Sequence, residues 1–327
     1  MKRVIIAVSV MAVLLLFTFL FSLKCGILPA SWSDVWQIFT DPEQYPAFIL
    51  RELRLPRSLL ALLSGAALAI SGTILQKVLH NDLASPDILG VSGGAGCAGL
   101  FLLLFWPQHS NFLNIAAFAG AMTAALLIAI AAWKHTISPV RLILAGVALG
   151  ALFSTACGAM ILMNSDKLAG VMEFTMGGFA RCTMDDLNLS WPFFTAVLLL
   201  APLLFARLDI LSLGKLEAHA LGLNVEVNRI AALSVAALAA ATAVSTAGLL
   251  GFAGLIAPHI AGKLLNTRRA MPLLLMSALT GAEITLIADL AGRTLFAPKE
   301  LPCGLFLSAF GAIFFLVLLL REKECEL

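Results

Sequence analysis

Residues 245–304 read STAGLLGFAGLIAPHIAGKLLNTRRAMPLLLMSALTGAEITLIADLAGRTLFAPKELPCG. Glycines, Pro258-His259, Glu283, Asp289 and Arg293 sit among apolar residues, broken once by the basic turn NTRR at 266–269. A helix that only faces lipid is served by interchangeable Leu, Ile, Val and Phe. Small and charged residues at membrane depth therefore mark packing or transport.

The rest of the chain has the same character. Of its 327 residues, 61% are hydrophobic and 12% charged, about half the charged share of a soluble domain. No soluble fold hides that much apolar surface, so the partner implied by composition is membrane lipid. A formal charge of +2, with basic residues in short clusters rather than along one stripe, argues against nucleic acid. The six cysteines (Cys25, Cys97, Cys157, Cys182, Cys303, Cys325) lack CxxC spacing and read as small hydrophobes. The apolar run after Met1-Lys2-Arg3 is too long for a signal core, and Lys24 precedes Cys25 where cleavage needs a small residue; a retained first helix is expected.

A span needs about 20 apolar residues. Windows of that size give ten candidates, at 4–23, 58–79, 88–105, 112–132, 141–163, 191–206, 228–247, 249–265, 271–290 and 303–320. The glycine-rich 88–105 window and the junction near Ala247 are the least regular. Placing the N-terminus inside puts 13 of the 21 Lys and Arg residues on the inner side, which favours both termini in the cytoplasm. Three of the eight outer ones crowd into RELRLPR at 51–57. Trp32, Val35, Trp36 and Phe39 recur at helical spacing and suit a short interfacial helix. The inner loop around 208–227 is polar enough for a solvated one.

Several motifs have plain readings. Gly214-Lys215 is followed by Leu216 and lacks the upstream glycine of a phosphate-binding loop, so any ATP hydrolysis belongs to another chain. The GxGxxG at Gly94–Gly99 lies inside an apolar run with no strand before it, and reads as helix packing. So do Gly65 with Ala69, and Gly146 with Gly150. Asp289 and Arg293, four apart, are expected to pair with each other. Glu283 has no local partner and is left between a wet pathway and a buried, protonated carboxyl. His259 reads as a hydrogen-bonding group near a helix end rather than a metal ligand.

Taken together, RLPRSLLALLSGAALAISGTILQ (54–76), NDLASPDILGVSGGAG (81–96), LAGVALG (144–150), MGGF (176–179), LSLGKLEAHALGLNV (211–225), GFAGLIAPHI (251–260), ADLAGR (288–293) and ELPCG (300–304) carry a resemblance. The chain resembles the permease subunits of bacterial ABC importers for iron-siderophores, haem and vitamin B12, the FecCD or B12-permease type, nearly end to end. The resemblance implies an all-α polytopic membrane protein of about ten transmembrane helices, with type II ABC importer architecture in one domain over 1–327. It implies a transport subunit rather than an enzyme, multi-pass in the bacterial cytoplasmic (inner) membrane and needing no cofactor. The implied partners are a second permease subunit in a homodimer, two cytoplasmic ABC ATPase subunits and an extracytoplasmic substrate-binding protein. Arg54, Arg57 and Arg293 stand where such permeases receive carboxylates of the binding protein. Leu211, Gly214, Glu217, Ala218, Leu221 and Gly222 stand in the helix that couples to the ATPase. Gly93, Gly94, Gly146, Gly150 and Glu283 are candidates for the pathway or for helix packing.

The chain departs from the family pattern in three places. His80-Asn81-Asp82-Leu83-Ala84 has Asp82 where the family has a proline, Gly262 stands where an arginine is expected, and Phe174 replaces a common Trp. Asp82 is expected to cap in place of the rigid turn. The cargo expected is an iron chelate of the siderophore class, with haem, cobalamin or an oxyanion as alternatives. An ion-coupled secondary transporter would need carboxylates near the midplane, which only Glu283 suggests. An intramembrane enzyme would need clustered catalytic groups, and none are seen.

Overall fold

The computed structural model describes residues 2–26, 30–41, 45, 47–87, 90–134, 136–137 and 139–325. Residues 88–89, with which the expected 88–105 span begins, lie outside this set, as do the side chains of Phe39, Lys134, Lys167, Arg321 and Lys323. Ten helices of thirteen or more residues occur among the described residues, one for each expected span. They are α1 (Lys2–Lys24), α4 (Leu55–Leu79), α5 (Val91–Phe105), α6 (Leu113–Ala132), α7 (Pro139–Met163), α9 (Met184–Leu200), α12 (Val225–Ala247), α13 (Ala253–Leu265), α14 (Ala270–Thr294) and α15 (Cys303–Cys325). Seven helical stretches are long and apolar enough to cross a membrane, while α5, α13 and the apolar part of α15 are shorter.

Shorter elements join them: α2 (Trp32–Thr40), α3 (Ala47–Ile49), α8 (Leu168–Met176), α10 (Phe205–Leu211) and α11 (Lys215–Ala220). The only strand pairing among the described residues is a two-residue ladder, Trp133–Lys134 against Thr136–Ile137. The short helix expected from the tryptophans forms as α2. Ser31 caps it, accepting from Asp34 N–H, and the Ser31 N–H returns the bond and holds the Asp34 carboxyl below its ordinary range. Trp32 and Trp36 are exposed, and Val35 and Ile38 pack on Leu23 and Leu50.

The core forms around α4, most of which is buried. Hydrophobicity does not explain this, since lipid is as apolar as Leu; small residues do, by letting backbones touch. A methyl on Gly65 would collide with the Gly281 carbonyl oxygen of α14, and one on Gly281 with that of Gly65. Gly72 meets the Gly254 carbonyl of α13 in the same way. Hydroxyls close the remaining polar gaps: Ser64 bonds Thr246 at 3.0 Å, and Ser71 donates to Ala236 O at 2.7 Å. By contrast α1 and α7 are mostly exposed, as helices facing lipid or another chain would be.

Three expectations are corrected. The expected 191–206 span starts earlier, at Met184, where Thr183 and Asp186 form a capping box, and it runs on through a 3-10 turn into α10. Asp82 makes no cap; Asn81 Oδ1 accepts the Leu83 N–H instead, and Asp82 points to solvent. His259 lies within α13 and packs edge-on against Phe314, with centroids 5.6 Å apart, rather than closing a helix end.

Candidate functional site

At the end of the bundle where α4 starts and α14 finishes, Arg57 reaches from the first turn of α4. Its Nε and Nη2 donate to Asp289 of α14 at 3.0–3.1 Å, and its Nη1 donates to Glu300 at 2.7 Å. Asp289 is 1% exposed, Arg57 12% and Glu300 31%, so the cluster grades from dry to wet towards the surface. A planar fork fits a carboxylate in two places at once, which an ammonium cannot do. The expected Asp289–Arg293 pair is therefore secondary: Arg293 Nε stands 3.7 Å from Asp289 Oδ2, beyond hydrogen-bond reach, while Arg57 bonds both oxygens. Arg293 Nε and Nη2 are buried without a hydrogen-bond partner among the described residues.

Arg54 lies one step outward, at the end of a π-helical turn, Leu50–Arg54. Its Nη1 donates to the carbonyl oxygens of Leu23 and Lys24 at 3.0 and 2.8 Å, which ties the end of α1 to the start of α4. The residue is 8% exposed. The three arginines expected at one surface are thus gathered at one end of the bundle, and all three are enclosed and engaged with or set against their own chain. Arg51 and Lys299 are the exposed cations nearby.

A cavity of about 500 Å³ opens on this same face, lined by Asn114, Glu173, Arg181, Asp186 and Thr246 among others. Arg181 pairs with Glu173 at 3.3 Å, and Asn114 donates to Asp186 at 2.8 Å. The MGGF turn is beside it. The Phe174 ring covers Gly99, and its carbonyl accepts the Leu249 N–H at 3.1 Å.

At the opposite end, α11 is a six-residue helix held between two left-handed glycines, Gly214 (φ 117°) and Gly222 (φ 78°). Other residues rarely adopt those angles. Leu216 and Leu221 are exposed, Ala218 is fully buried, and Leu211 ends α10 in the core. Glu217 folds back beside Gly214. The helix thus stands out from the bundle on one small buried contact.

The pathway candidates separate. Gly94 packs on Gly120 and Ala124 of α6, and Gly93 on Phe153 of α7. Gly90, absent from the candidates, sits between the Gly146 carbonyl and Gly150, so these two of the three glycines of α7 serve this approach. Glu283 is enclosed between α1 and α14. It is 4% exposed, accepts the Thr18 hydroxyl of α1 at 2.7 Å, and its Oε2 has no partner among the described residues. A threonine in a uniformly apolar helix gave no sequence signal for this bond.

A multi-pass helical bundle with a charged cluster at one face and a glycine-bracketed helix at the other defines a membrane transport subunit. The FecCD transport family matches residues 14–321. The achromobactin transport system permease protein CbrC of Dickeya dadantii is 38% identical, over 97% of this chain and 92% of its own. The Fe(3+)-citrate import system permease protein YfmE of Bacillus subtilis is 36% identical, over 99% and 97%. A solved transporter described as being of metal-chelate ABC type, in an inward-facing conformation, superposes with a TM-score of 0.82 at 28% identity, covering 96% of this chain and 98% of its own. The chain belongs to the FecCD transport family and is an ABC importer permease.

Proposed function

We propose that this chain imports a ferric chelate of the siderophore class across the bacterial cytoplasmic membrane, as half of a homodimer. Two separate ATPase subunits supply the energy, and an extracytoplasmic binding protein delivers the cargo. The observation that carries this reading is the end-to-end similarity to a permease named for Fe(3+)-citrate, together with the fold shared with a metal-chelate transporter. The Arg57 face is then external, the α11 face and both termini cytoplasmic.

On the outside, an arriving carboxylate meets Arg57 where Glu300, the more exposed of its two partners, now sits. Exchange with Glu300 leaves the Arg57–Asp289 fork intact. On the inside, α11 is the element available to an ATPase, because its apolar residues Leu216 and Leu221 are solvent-facing. The path for cargo runs beside α7. Leu144, Ala148, Ala151 and Thr155 are exposed along one side of it, and Gly158 has nothing within 4 Å of an added methyl. Such a face suits a second copy and a wide passage that opens by rigid-body motion. The test is to reconstitute the permease with its ATPase and ask which loaded binding protein stimulates hydrolysis. Stimulation by a ferric siderophore complex supports the reading; stimulation by a cobalamin complex alone overturns the cargo.

A further inference from the structure

Lys77 lies near the α11 end of α4 and is buried, with 8% of its side chain exposed. Its Nζ donates to Arg268 O at 2.6 Å and to Asp209 Oδ1 at 3.3 Å. The same Asp209 oxygen accepts the Ala270 N–H at 2.6 Å, at the first residue of α14. One carboxylate oxygen therefore joins α4, α10 and α14. An aspartate at a helix N-terminus is favoured by the helix dipole, and the enclosed ammonium is compensated by the carboxylate and a carbonyl. A lysine this close to a membrane face has the length to snorkel into water. It turns inward instead, to a junction.

Two further features give this junction a mechanical meaning. Asp209 lies six residues before α11, and the turn between them is stiffened by Ser212, whose Oγ donates to Asp209 O at 2.7 Å. A force on α11 reaches the bundle through whatever holds its flanks. On the later flank these are the Asn224 cap of α12 and a 3.9 Å Lys215–Glu226 contact; on the earlier flank they are the buried Leu208 and Leu211 and, as the polar link, Asp209. The second feature is that α4 and α14 are pinned again at their far ends by Arg57–Asp289, with Gly65 and Gly281 in backbone contact between. Each helix has 25 residues, about 37 Å at 1.5 Å per residue. The pair is charge-pinned at both faces of the membrane.

We propose that α4 and α14 act as one rigid strut between the outer cluster and the coupling segment, with Asp209 and Lys77 as positioning residues at its inner joint. This rests on the coupling reading of residues 211–222. The joint makes the displacement of α11 and that of the strut a single motion, so nucleotide state inside and docking outside sense each other.

The experiment uses the complete transporter in nanodiscs, comparing Asp209→Asn, Lys77→Met and Lys77→Arg with wild type. Melting temperature, assembly with the ATPase, basal hydrolysis and binding-protein affinity are expected within about twofold or a few degrees of wild type, while stimulation of hydrolysis by loaded binding protein falls about fivefold or more. Lys77→Arg, which keeps the charge, is expected to retain stimulation. Should Lys77→Met fail to assemble, Asp209→Asn carries the test alone, since Asp209 is 41% exposed and asparagine keeps an oxygen for Ala270 N–H. Wild-type stimulation in these variants overturns the strut, as does a loss that only follows a loss of assembly. Gly222→Pro separates the two readings. If it abolishes stimulation while Asp209→Asn does not, the strut alone is wrong; if neither has an effect, the coupling reading is wrong as well.

Discussion

Arg57 and Asp289, 232 residues apart in sequence, meet as a two-point fork on a carboxylate at 3.0–3.1 Å, with Asp289 almost wholly shielded from water. The pair joins the start of α4 to the last turns of α14, and it leaves Arg57 Nη1 to the more accessible Glu300. A dry, hydrogen-bonded partner and a wet, replaceable one thus share a single guanidinium.

Breaking the dry half strands a buried charge. Asp289→Ala is expected to lower stability by about 3–5 kcal/mol, read as a fall in the melting temperature of the detergent-solubilised protein. Arg57→Lys is expected to be destabilised as well, because one ammonium does not span both carboxylates. An unchanged melting temperature in Asp289→Ala would show that the pair does not hold the start of α4 to the end of α14.

Docking is proposed at the same cluster, and its test needs the melting temperature in parallel, because Arg57→Glu also breaks the Asp289 fork. Arg54→Glu with Arg57→Glu is expected to weaken binding-protein affinity by about tenfold or more, as like charges meet across the contact. Glu300→Gln removes the internal competitor and is expected to tighten it. A pull-down titration checks both, and equal affinity in all three proteins would contradict docking at this cluster.

Gly222 holds φ 78° at the end of α11, an angle that proline cannot reach. Gly222→Pro is expected to cut ATP-driven uptake in vesicles by about tenfold or more while the melting temperature stays near wild type, since the distortion falls outside the packed bundle. Normal uptake would remove α11 from the coupling path.

Glu283 binds α1 to α14 through Thr18. Glu283→Gln keeps an oxygen for the Thr18 hydroxyl and is expected to leave ATP-dependent uptake within about twofold of wild type. Loss of uptake with retained stability would point to a proton or ion carried on this carboxyl, as in a secondary transporter.

Much of the fold was legible in the sequence because spans are set by bilayer thickness, and close approaches by small residues. Gly65 declared a tight contact without naming Gly281 as its partner. What was not legible is pairing across the bundle. Spacing joined Asp289 to Arg293, four residues away, whereas the fold gives Asp289 to Arg57. Lys77 counted only as one more inner charge, and nothing local revealed that Asp209 would gather it with Ala270. The arginines were expected at an open surface. Arg54 and Arg57 are instead turned to carbonyls and carboxylates of their own chain, and Arg293 is buried beside Asp289.

The most direct measurement of the central claim is radiolabelled iron uptake, with ATP hydrolysis followed in parallel, in proteoliposomes containing the permease, its ATPase and a binding protein loaded with a ferric siderophore. The account predicts that hydrolysis rises with the loaded over the empty binding protein, that iron enters in step, and that both vanish when the ATPase is inactivated. Iron entry that persists without hydrolysis and follows an ion gradient would contradict it.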